Sequence, residues 1–92
     1  MDIFDEAVKK IIVEQEMVMG PIAWEQANKV PGIRIDSKSH AVQLHGDKKD
    51  IVEHLIEKYR DLFGQASVEV CREAVSGLLS GVAPDDIPPL LK

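Results

Sequence analysis

The sequence predicts a small α+β domain, mostly helical, with one β-hairpin set between two helical halves. Three observations carry this expectation. Apolar residues recur with a period of about 3.6 residues near both ends of the chain. Between Ile33 and His45 the period falls to about two. Glycine and proline stand at the changes of period: Gly20-Pro21, Pro31-Gly32, Gly46, Gly64 and Gly81. The expected order is helix, short helix, hairpin, helix, helix, followed by an extended Pro-rich tail. Residues 1–82 are read as one domain and residues 83–92 as the tail.

The first helix is expected from Asp2 to Met19. Ile3, Phe4, Ala7, Val8, Ile11, Ile12, Val18 and Met19 share one half of the helical wheel, and Asp5, Glu6, Lys9, Lys10 and Glu16 lie mostly on the other. Three residues break the pattern. Gln15 falls inside the apolar stripe, where burial would oblige it to find a hydrogen-bond partner. Val13 and Met17, one turn apart, fall on the polar side.

Gly20-Pro21 interrupts this helix, because proline lacks the amide hydrogen and clashes with the carbonyl four residues back. The same proline suits the first turn of a new helix. A second short helix is therefore expected from Pro21 to Lys29, with Ile22, Ala23, Ala27 and Val30 on its buried side and Trp24 at the edge. A single kinked helix over residues 2–29 is the alternative.

Ile33 and Ile35 then alternate with Arg34 and Asp36, and Val42 and Leu44 alternate with Gln43 and His45, around the polar turn Asp36-Ser37-Lys38-Ser39-His40. This is the pattern of a hairpin with one apolar face. An isolated hairpin is marginally stable, so that face must pack on the helices or on the sheet of another copy.

Asp47 is an N-cap residue, with Asp50 three positions on. The helix it opens is expected from Lys48 to Phe63. Ile51, Val52, Leu55, Ile56, Tyr59, Leu62 and Phe63 form its apolar stripe, and Gly64 stands where a left-handed terminating residue belongs. The last helix is expected from Ala66 to Ser80, with Ser67 as a candidate cap. Val68, Cys71, Ala74, Val75, Leu78 and Leu79 share its buried face, and Gly81 stops it.

Composition excludes several classes. With 45% hydrophobic and 29% charged residues in 92, the chain has the apolar content to fold as a single domain. No apolar run is long enough to span a membrane. The first residues lack the basic start and apolar stretch of a signal peptide. The single cysteine, Cys71, allows no internal disulfide and fits a reducing compartment, so a cytoplasmic location is expected.

A net charge of −5 opposes non-specific binding to nucleic acid or anionic lipid, which draws its affinity from Lys and Arg. A helix-turn-helix reading of the first 30 residues is a third option, with Gln26 and Asn28 as base readers. That segment, however, carries Lys9, Lys10 and Lys29 against six carboxylates, which leaves few groups for phosphate.

Catalytic signatures are weak. Cys71 sits mid-stripe, which suits a small buried hydrophobe better than a nucleophile. His40, His45 and His54 lack the three- or four-residue spacing of a helical metal pair. Glycine-rich phosphate loops, serine elbows and paired CxxC motifs are missing from the sequence. No cofactor is expected.

The leading expectation is a non-enzymatic interaction or regulatory module that binds a protein partner, a second copy of itself included. Its candidate surface is Val13, Met17 and Trp24, with Ile87, Leu90 and Leu91 from the tail. The alternative is a ligand-binding domain or small enzyme, with a pocket between hairpin and helices lined by Trp24, Arg34, His45 and Tyr59.

Overall fold

The computed structural model describes residues 3–91. Asp2, where the first helix is expected to begin, and Lys92, the last residue of the tail, lie outside the described residues. Four helices and a hairpin follow in the expected order: α1 (Ile3–Met19), α2 (Ile22–Asn28), β1 (Ile33–Ile35), β2 (Val42–Leu44), α3 (Lys48–Phe63) and α4 (Gln65–Val75).

Gly20 adopts φ +76° between α1 and α2, so the segment is two helices and not one kinked helix. The strands pair antiparallel with Ile33 opposite Leu44 and Ile35 opposite Val42. Their shared face is closed by the helices: Ile33, Val42 and Leu44 are buried in one core with Val8, Ile11 and Ile12 of α1 and Ile51, Val52 and Leu55 of α3. The hairpin turn is held locally. The Asp36 carboxylate accepts from the backbone N–H groups of Lys38 (2.8 Å) and Ser39 (3.0 Å), and His40 closes the turn at φ +59°.

α3 has the expected bounds for the expected reasons. The Asp47 carboxylate accepts from the Asp50 N–H at 3.1 Å, and Gly64, at φ +81°, donates its N–H to the Arg60 carbonyl at 2.7 Å. α4 differs from expectation at both ends. It starts one residue early, and the Ser67 hydroxyl donates back to the Gly64 carbonyl at 2.7 Å instead of capping. It ends at Val75, five residues short of Ser80, because Gly77 weakens the helix before Gly81 is reached.

Beyond α4 the chain forms three short 3-10 turns, Leu79–Gly81, Pro84–Asp86 and Pro89–Leu91. A proline opens each of the last two, where its fixed φ suits the first helical position.

Candidate functional site

α1 and α4 lie side by side and antiparallel, and Gln15 fastens the seam from within. Its side chain is fully buried. Its Nε2 donates to the Ser67 carbonyl at 2.9 Å and to Cys71 Sγ at 3.3 Å, so the glutamine that interrupts the apolar stripe of α1 finds its partners on α4. Its Oε1 accepts no bond from any described residue. Cys71 is buried beside it, and burial pushes its thiol up to about 11, far from a thiolate nucleophile at neutral pH.

Outside that seam the two helices leave a trough. One stretch of about 360 Å³ is lined by Lys9, Lys10, Val13, Glu14 and Ala74. The next, also about 360 Å³, is lined by Glu14, Met17, Val18, Val70, Glu73 and Ala74. Glu14 and Ala74 belong to both, so the trough is continuous. Its wall is apolar along Val13, Met17, Val18, Val70 and Ala74. Two lysines stand at the end nearer the start of α1, and two glutamates stand further along. Among the described residues none of Lys9, Lys10, Glu14 and Glu73 enters an ion pair.

Met17 is 75% exposed and Val18 67% exposed, the two most solvent-exposed large apolar side chains of the described chain. The others, Ile22, Leu62 and Phe63, are carried by the start of α2 and the end of α3. These helix ends gather at one end of the molecule. Gly20-Pro21 joins α1 to α2, Gly64 joins α3 to α4, and the Tyr59 hydroxyl ties the end of α3 to the Ala23 carbonyl of α2 at 2.7 Å. Val18, Ile22, Leu62 and Phe63 were expected in the core. Leu62 and Phe63 carry the stripe of α3 into its last turn, Ile22 opens α2, and Val18 lies on the open side of the α1/α4 contact beside Val70 and Glu73.

The six residues of the expected interaction surface are dispersed. Val13 and Met17 line the trough together. Trp24 does not join them. It is buried, and its ring stacks on His40 of the hairpin turn with centroids 3.9 Å apart and planes 20° from parallel. Its Nε1 meets no acceptor among the described residues. Ile87, Leu90 and Leu91 are half-buried against the chain's own core.

The four residues of the alternative pocket do not line one opening. Tyr59 is fully buried with its hydroxyl on Ala23, and its low-dielectric surroundings push its ionisation above the usual phenol range. Arg34 is exposed opposite Gln43, beside a depression of about 290 Å³ that it shares with Ile35, Asp36, Ala41 and Gln43. His45 is exposed, and its backbone N–H donates to Gly32. Trp24 borders a different depression, of about 230 Å³, with Glu25, Asn28, Ile35, Ser37 and His40. In the turn beneath it the Ser39 and Lys38 backbone N–H groups hold the Asp36 carboxyl below the usual range.

Among the described residues no three His, Cys, Asp or Glu side chains are placed to hold a metal ion. No described helix is long and apolar enough to cross a membrane. Sequence reasoning missed Val70, Glu73 and the trough itself, whose signal lies in the pairing of two helices distant in the chain. Comparison with family models, with curated proteins and with solved structures finds no match to this chain.

Proposed function

We propose that this chain is a non-enzymatic interaction module of a reducing, cytoplasmic compartment that self-associates through the α1/α4 trough. The observation that carries the reading is the trough's order of side chains: lysines at one end, an apolar wall, and glutamates further along. A two-fold axis across such a face brings the lysines of each copy toward the glutamates of the other while the apolar walls meet. An isologous contact of this kind is the commonest form of oligomer. A stable dimer buries roughly 800 Å² per partner. That is about a sixth of the 5187 Å² surface, within reach of one long side of a molecule 32 Å in its largest extent. A single cysteine, which allows no internal disulfide, supports a reducing compartment.

The test is light scattering after size exclusion, over a dilution series, on the native chain and on Met17→Asp. Met17 is wet in the monomer, so the substitution leaves monomer stability within about 0.5 kcal/mol while removing the dimer. Leu62→Asp, outside the trough, leaves the dimer intact. A native chain that stays monomeric at high concentration refutes the proposal.

A further inference from the structure

Beyond self-association, the groove between α3 and α4 holds the chain's own C-terminal segment as a bound peptide would be held. Both backbone groups of one residue are gripped by charged side chains. The Leu90 N–H donates to Glu53 Oε1 of α3 at 2.9 Å, and the Leu90 carbonyl accepts from Arg72 Nε of α4 at 3.1 Å. Further back, Lys49 Nζ donates to the Asp85 carbonyl. All three bonds read main-chain atoms, which any peptide supplies. Pro88 is fully buried as the anchor, while Ile87, Leu90 and Leu91 are half-buried around it.

Three observations separate this segment from the fold it covers. Of this segment only Pro88 is fully buried; Ile87, Leu90 and Leu91 pack against a core whose other fully enclosed side chains come from residues up to Leu79, and they stay partly exposed. An open depression of about 330 Å³ runs along the segment, where Ile87 and Leu91 meet Arg72, Val75, Ser76, Leu79 and Ser80. The connection from α4 contains Gly77 and Gly81, and at neither would a side chain meet a neighbour within 4 Å.

We infer that the α3/α4 groove is a peptide-binding site, occupied in cis by residues 84–91. In trans it takes a partner protein's segment that carries a buried proline followed by bulky aliphatic residues, one of them with a free backbone N–H and C=O. The tail competes with that partner and keeps the groove closed in its absence.

The probe is a synthetic peptide of residues 83–92, added to the full chain and to the full chain carrying Leu90→Asp. The new carboxylate cannot pack against the apolar core as the leucine does, and this releases the covalent tail. The peptide is expected to bind Leu90→Asp saturably and at least about tenfold more tightly than the native chain, whose own tail competes at high effective concentration. A peptide N-methylated at the Leu90 nitrogen is expected to lose that binding. In the native chain the Leu90 amide is expected to exchange with solvent at least about a hundredfold faster than the Leu55 amide of α3, since the tail opens without global unfolding. Equal exchange rates, loss of the helices in Leu90→Asp, no binding to a folded Leu90→Asp chain, or undiminished binding of the N-methyl peptide would each overturn the inference.

Discussion

Tyr59→Phe isolates one polar contact that holds the two helical halves together. The ring is fully buried, and its hydroxyl donates to the Ala23 carbonyl at 2.7 Å. Phenylalanine keeps the ring and its packing, so no cavity penalty enters. The carbonyl has a second lone pair for its helical bond, so it is not left wholly unsatisfied. The loss is therefore the net worth of a single neutral hydrogen bond, about 1 kcal/mol, and not the larger cost of an orphaned buried group. In a domain of this size that lowers Tm by about 4–8 °C. The effect should concentrate in α2, a seven-residue helix without a side-chain N-cap that relies on such contacts for its order. Thermal and urea unfolding measure the loss, and amide exchange across Ile22–Asn28 locates it. An unchanged Tm would refute the reasoning. So would a loss above about 3 kcal/mol, which would mean the hydroxyl supports more than one bond.

Alkaline pH should weaken the fold. Burial raises the Cys71 thiol from 9.0 to about 11 and the Tyr59 phenol also upward, so the unfolded chain releases these protons first. Stability is complete below pH 9 and falls as pH rises towards 11, with Cys71 alone contributing a loss of roughly 2–3 kcal/mol. Urea midpoints across pH 8–11 measure the slope, which Cys71→Ala flattens; an unchanged slope in that variant contradicts the assignment. Gly32→Ala should destabilise by more than about 2 kcal/mol, because its Cβ would come within 2.7 Å of the His45 carbonyl at φ +92°. Gly20→Ala, in open space at φ +76°, should lose only about 1 kcal/mol; equal losses at the two sites would show that space is not the deciding factor.

The elements that were legible in the sequence are those fixed by local chemistry. Asp47 and Gly64 bound α3 through bonds to residues three or four away, so both ends could be placed in advance. The hairpin register follows from alternation around a turn that Asp36 organises by itself. The errors are long-range. Wheel positions place Val18, Leu62 and Phe63 on core stripes, but periodicity does not tell which part of a stripe the neighbouring helix covers. Trp24 moved from edge to interior because the hairpin turn brings His40 over it. Within the candidate site, Val13 and Met17 stood out as apolar residues on a polar face. Their trough mates Val70 and Glu73 did not, because they become neighbours only when α4 packs antiparallel on α1. Gln15 lies between these cases: its need for a partner was evident, and only the packed structure identifies Ser67 and Cys71.

The α1/α4 contact is tested most directly by charge exchange. Lys9→Glu with Lys10→Glu makes the charged side chains of the trough all acidic, and Glu14→Lys with Glu73→Lys makes them all basic. Sedimentation equilibrium should find each variant monomeric by itself and an equimolar mixture dimeric, with a dimer that weakens as salt is raised. A mixture that stays monomeric, or variants that each associate as the native chain does, would contradict the proposed interface.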